Sequence, residues 1–172
     1  MNRRIAGFAL AIIVLLADQA SKYWILYGLD LPRRGLVRIL PVLNFAMVWN
    51  HGVTFGLLAG DHAAPLLIAV AAIIAIVLLV WLWRARTLPT ALAVGAITGG
   101  AIGNIISRLR YGAVVDFIDA HIGAWHWYVF NVADAAIVCG VATLIAESLF
   151  SREAMPRGAP LPAVKPGDKE AP

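Results

Sequence analysis

The chain has 172 residues, 61% of them hydrophobic and only 14% charged, with a mean hydropathy of +0.81. A soluble domain carries about 45–50% apolar and about 25% charged residues, and one core of this size cannot hide the excess. Disorder is excluded for the bulk of the chain, a disulfide scaffold is excluded by the single cysteine, Cys139, and the net charge of +4 comes without the basic, aromatic-laced stripe that a nucleic-acid partner requires.

What remains is an all-α membrane protein. A bilayer core of about 30 Å takes about 20 mostly apolar residues per helix, and four segments meet that length: 5–27, 64–83, 89–106 and 127–149. Asp18 and Lys22 interrupt the first span, and the second has no charge. Pro89 opens the third, where a missing N–H is tolerated, and Asn131 and Asp134 interrupt the fourth. Trp81, Trp83, Trp125, Trp127 and Tyr128 fall at span ends, where amphipathic rings collect.

With four spans, Arg3 and Arg4, Arg84 and Arg86, and Arg152, Arg157, Lys165 and Lys169 share one side. The positive-inside rule makes that side, and both termini, cytoplasmic, although Arg33, Arg34, Arg38, Arg108 and Arg110 on the other side reduce the bias. The first apolar run continues into Asp18-Gln19-Ala20-Ser21-Lys22 with no small-residue cleavage site, which marks an uncleaved span rather than a removable leader.

The outer segment 29–62 holds too many prolines and glycines for one helix. Val42–Val48 and Val53–Leu58 read as short strands around a turn at Asn50-His51-Gly52. The second outer segment, 109–126, is short and mixed. The expected architecture is four transmembrane helices, as one domain over 1–150, carrying a small extracytoplasmic β element. Residues 151–172, with five prolines, read as a disordered cytoplasmic tail.

Ionisable groups inside spans are expensive and therefore informative. Asp18 and Lys22, four apart on one helix face, read as a structural ion pair with Lys22 snorkelling outward. Asn50, Gly52, Thr54 and Phe55 read, from spacing alone, as turn chemistry. The third cluster carries the chemistry: Gly99, Gly100 and Gly103, then Asn104 and Arg108 four apart, then Asp116, then Asn131 and Asp134. The glycines permit close helix approach. Asp116 and Asp134 both fall near the outer boundary, the latter about two turns into the fourth span. Two adjacent carboxyls can share one proton, one acting as base on water and the other as acid on a carbonyl. Spacing alone favours a buried Asp–Arg pair or an ion or proton relay over a hydrolase. Asn104, Arg108 and Asn131 are candidate partners of the carboxyls or of a substrate backbone.

Other hydrolytic chemistries lack support. There is no H-E-x-x-H or G-x-S-x-G, and Ser107 has no evident histidine base. His51, His62, His121 and His126 show no close ligand spacing, so no metal site is expected. Asp119 reads as a loop or interface residue, Glu147 as an interfacial group, and Cys139 as packing.

These residues, taken in order, resemble the lipoprotein signal peptidase (signal peptidase II) family over about residues 5–150. The resemblance rests on Asp18-Gln19 with Lys22, Asn50 with Gly52 and Phe55, Gly99-Gly100 through Asn104 and Arg108, Val115-Asp116-Phe117, and Phe130-Asn131-Val132-Ala133-Asp134. It implies an aspartic endopeptidase of the bacterial inner membrane. Such an enzyme removes signal peptides from diacylglyceryl-modified prolipoproteins on the N-terminal side of the lipidated cysteine, at the periplasmic face. By motif match, Asp116 and Asp134 would be catalytic, Asn50, Gly52, Asn104, Arg108 and Asn131 would line or order the site, and Asp18 and Lys22 would support it. Membrane lipid and globomycin-type cyclic peptides are implied partners, and no metal or organic cofactor is expected. Ser107 and Ala135 depart from the family pattern, which often has Asp and Ser there. The alternative is a non-enzymatic transporter subunit or structural partner with buried aspartates as ion or proton ligands.

Overall fold

The structure is a computed structural model that describes residues 2–52 and 63–153. The strand expected over Val53–Leu58, with Thr54 and Phe55, and nearly all of the expected tail lie outside the described residues.

Four helices are long and apolar enough to cross a membrane among the described residues. Helix α1 (Arg3–Tyr23) begins at Asn2, whose side chain accepts from the Arg4 N–H, and runs on into a π-helical turn at Trp24–Gly28. A short helix α2 (Leu31–Arg34) and strands β1 (Leu36–Leu40) and β2 (Leu43–Asn50) follow. Then come α3 (Ala63–Arg84), α4 (Leu88–Tyr111), strands β3 (Val114–Ile122) and β4 (Trp125–His126), and α5 (Val132–Glu153).

Two span boundaries differ from the sequence expectation by five residues, and α5 also runs to Glu153, four residues past 149, so the first residues of the expected disordered tail are helical. Helix α4 continues to Tyr111 rather than ending at 106, because Gly112 (φ +72°) closes it in the left-handed conformation with its N–H on the Arg108 carbonyl. Helix α5 starts at Val132 rather than 127, because 127–130 is extended and bonded to β3. Trp127 N–H donates to Ala120 O at 2.8 Å, and Phe130 exchanges bonds with Ile118. Asp134 is therefore in the first turn of its helix, not two turns in.

Helix α4 is the centre of the bundle and packs against α1, α3 and α5. Its small residues explain why. A Cβ on Gly100 would lie 2.5 Å from Ala133 O on α5, and one on Gly99 would strike Ala11 O on α1. Only glycine lets the backbones meet so closely. Helix α3 is apolar all round, with Ile73, Ile74, Ile76 and Val77 more than half exposed, as lipid contact permits. At its far end Arg4 lies 5.1 Å over the Trp83 ring and Arg3 bonds Ala85 O, tying the basic residues to that end of the bundle.

At the opposite end the strands form one antiparallel sheet in the order β1-β2-β3-β4. Strands β1, β3 and β4 have no counterpart in the sequence expectation, and β2 extends two residues beyond the expected Val48. Val115 and Phe117 pack with Ile25, Leu26 and Leu31 in a core beneath the sheet. Side chains alternate along a strand, so Asp116 points to the other face. A one-residue slip would exchange the two sets. The register Val48↔Asp116 and Asn50↔Val114 brings Asn50 alongside Asp116.

Candidate active site

The site is built where β3, α4 and the start of α5 converge. Asn131 caps α5: its Oδ1 accepts from the Asp134 N–H at 3.0 Å, while the Asp134 carboxylate reaches back to the Asn131 N–H at 3.2 Å. This is a reciprocal capping arrangement. It leaves the Asn131 amide free to donate, at 2.6 Å to Asp116 Oδ1 and at 3.2 Å to Asn104 Oδ1. Asn50 Nδ2 donates to the other Asp116 oxygen at 3.1 Å, and Gly52 N–H holds the Asn50 side chain through its Oδ1 at 3.2 Å. Asn104 Nδ2 donates to Asp134 Oδ1 at 2.8 Å.

Behind this layer lies the α1 pair. Lys22 Nζ bonds Asp18 Oδ2 at 2.9 Å and Asn104 Oδ1 at 3.0 Å. Asp18 Oδ1 accepts from the Ala133 N–H of the first turn of α5 at 3.1 Å, and Gln19 joins Asp18 to Gly103 O. Gly103 is required here, since a Cβ would lie 2.5 Å from Asp18 Oδ2. Lys22 is 2% exposed and does not snorkel outward as the sequence suggested. The neighbouring Asn104 oxygen and Asp18 carboxylate hold it inside.

Asp116 is 2% exposed. Burial first, and then the nearby Asp134 charge, push its carboxyl up to about 6, against the opposing hydrogen bonds of Asn50 and Asn131 and the charge of Lys22. Both carboxyls line a cavity of about 990 Å³. Its remaining wall is mostly apolar: Val48, Trp127 to Phe130, Ala135, Val138 and Cys139. Cys139 is thus exposed rather than packed. Arg108 lies within the influence of both carboxylates, yet its Nε is buried without a hydrogen-bond partner among the described residues.

Of the residues singled out in the sequence, Asp18, Lys22, Asn50, Gly52, Asn104, Asp116, Asn131 and Asp134 fall into one connected network, with Arg108 beside it. Trp127 and Tyr128, span-end residues in the sequence, here line the cavity with Val129 and Phe130. Asp119, His121 and His126 also differ from expectation. They are not scattered over loops, because β3 and β4 pair and place one donor atom of each within 4.8 Å of the others. Glu147 accepts from Thr87 and Thr90 near the start of α4.

Four spanning helices that hold two carboxyls at the rim of an apolar cavity define a polytopic membrane protein with a polar site near one boundary. Residues 10–150 match the model of the signal peptidase (SPase) II family, Peptidase_A8. Curated relatives named lipoprotein signal peptidase include one from Rhodopseudomonas palustris, 43% identical over 84% of this chain and 92% of that one. Another, from Methylorubrum extorquens, is 48% identical over 84% and 85%. A solved bacterial membrane enzyme structure is similar with a TM-score of 0.77 and 28% identity over 90% of this chain and 94% of the other, and a second with 0.73 and 30%.

The chain belongs to the signal peptidase II family. It is a multi-pass bacterial membrane protease, which sets aside the transporter-subunit or structural-partner alternative.

Proposed function

We propose that this protein removes signal peptides from prolipoproteins by hydrolysing the bond N-terminal to a diacylglyceryl-modified cysteine, with Asp116 and Asp134 as an aspartic dyad. The observation that carries the proposal is that both carboxyls, braced by Asn50, Asn104 and Asn131, face one apolar-walled cavity. The pair shares one proton, and the upward shift of Asp116 favours its holding that proton. The ionised partner takes a proton from water as the oxygen attacks the scissile carbonyl. The protonated partner gives its proton to the carbonyl oxygen. Collapse of the tetrahedral diol breaks the C–N bond, the departing amine takes a proton, and the dyad returns to its singly protonated state.

Asn50, Asn104 and Asn131 hold the carboxyls, and Asp18 and Lys22 hold Asn104 and the start of α5. The Arg108 guanidinium, whose Nε has no partner among the described residues, would meet a substrate oxygen. The residues present need no metal or organic cofactor for these steps. Cytoplasmic termini put the sheet and the dyad at the periplasmic face of the inner membrane. There the acyl chains of a lipidated cysteine stay in the bilayer while the peptide enters the cavity. Globomycin-type cyclic peptides would compete for the same wall.

The test is gel-shift cleavage of a diacylglyceryl-modified prolipoprotein by wild type, Asp116→Asn and Asp134→Asn, with and without globomycin. Cleavage by wild type alone, stopped by globomycin and absent on unmodified precursor, is the expected result. A well-folded wild type that does not cut, or a single variant that cuts freely, overturns the dyad.

A further inference from the structure

We propose that Asp119, His121 and His126 form a binding site for a divalent transition-metal ion of the zinc class, in the β3–β4 hairpin beside the cavity and independent of the dyad. Residues 119 and 121 are two apart on β3 and share a face, and His126 pairs directly across from His121. The two imidazoles lie parallel, 4.8 Å between centroids and 12° between planes. The three donor atoms already lie within 4.8 Å of one another. Zinc–ligand bonds of about 2.0–2.2 Å set tetrahedral donors about 3.4 Å apart. The widest pair has up to about 1.4 Å to close, and the His126 side chain is 49% exposed.

The surroundings fit a metal better than a simple ion pair. Asp119 is 3% exposed and fixed from behind, with Oδ2 accepting from Asn44 Nδ2 at 3.0 Å while Oδ1 faces His126 Nδ1 at 2.8 Å. A carboxylate that ligates a metal is usually itself hydrogen-bonded from behind, as Asn44 holds this one. A His–Asp pair uses one imidazole, whereas here a second is stacked on the first with its Nδ1 3.4 Å from Asn44 Nδ2. Two imidazoles and one carboxylate suit zinc, copper or nickel, and leave one coordination position for water.

Such an ion would clamp β4 to β3 immediately before Trp127. Residues 127–130, which it would steady, form the wall of the cavity and lead into the Asn131 cap. Metal occupancy would thereby stiffen that wall.

The test uses the full-length protein in detergent, tag removed and stripped with chelator, titrated with Zn²⁺ against a chromogenic chelator. One equivalent bound with a micromolar or tighter Kd is expected. His126→Ala, the exposed ligand, and His121→Ala should each weaken it at least 10-fold, whereas His51→Ala should not. Backbone hydrogen exchange over 119–130 should slow on Zn²⁺ addition in wild type and not in His126→Ala. Binding weaker than about 1 mM, or binding equally tight in folded His126→Ala, overturns the proposal.

Discussion

Two pairs of charged groups lie side by side in this molecule, Asp18, Lys22 and Asp116 buried and Asp134 half-buried, and the pairs are built differently. Asp18 and Lys22 are 0% and 2% exposed, and every Asp18 oxygen is taken by protein donors. Asp116 and Asp134 are also held by donors, but they are like charges and they border a cavity of about 990 Å³. The first arrangement is closed, with opposite charges cancelling inside a low-dielectric bundle. The second is open, and its like charges raise the energy of the doubly ionised state. A closed, balanced pair can only brace. An open, frustrated pair can accept and release a proton where a substrate can reach it.

The sharpest way to break this contrast is to neutralise the open pair. Asp116→Asn and Asp134→Asn should each lower turnover by about 10³-fold while the protein still folds, as checked by cleavage assay alongside thermal unfolding in detergent. A similar loss of turnover from a neutralised closed pair, with folding intact, would erase the distinction.

The closed pair should answer in stability instead. Lys22→Met leaves Asp18 charged and buried, and should cost about 3–5 kcal/mol. Adding Asp18→Asn should restore most of that loss, since the amide still accepts from the Ala133 N–H. Unfolding midpoints of the single and double variants check this.

The third comparison is with pH. The Asp116 carboxyl rises from 3.8 to about 6 in the folded state. Its contribution to stability is therefore fully present below 3.8 and lost as pH rises through 6. Relative to Asp116→Asn, which does not titrate there, wild type should lose about 3 kcal/mol between about pH 3 and pH 8. Parallel stability curves for the two proteins would show that the carboxyl is not shifted.

Smaller effects bound the site. Asn50→Ala removes one of the two side-chain donors to Asp116 among the described residues and should lower kcat/KM about 10-fold by loosening that carboxyl. Neutralising Lys165 and Lys169, far along the chain, should change cleavage by less than about twofold, as substitutions away from a site do.

Much of this was legible before folding was considered. Runs of apolar residues announced the four helices because a bilayer offers no partner for an exposed backbone. The expense of charge in such runs drew attention to Asp18, Lys22, Asn131 and Asp134. Gly99, Gly100 and Gly103 announced close packing, and they do meet α1 and α5. Strands β1 and β3 were less legible. Val114–Ile122 carries Asp116, Asp119 and His121 among its apolar residues, and only pairing with β2 makes it a strand. The Asp119, His121 and His126 group was missed for the same reason, although two of the three stand two apart, the spacing of one strand face.

The sequence by itself determined the membrane class, the number of spans and the set of polar residues that had to be accounted for. Those follow from local composition and from the cost of placing charge in hydrocarbon. Which residues serve together was decided only by the tertiary structure. Hydrogen-bond partners of Asp116 come from 66 residues upstream and 15 downstream, and Asp18 reaches across 115 residues to the start of α5. Such meetings depend on strand register, on a helix that begins five residues later than its apolar pattern, and on glycines that let three backbones converge. None of these is a local property of the chain.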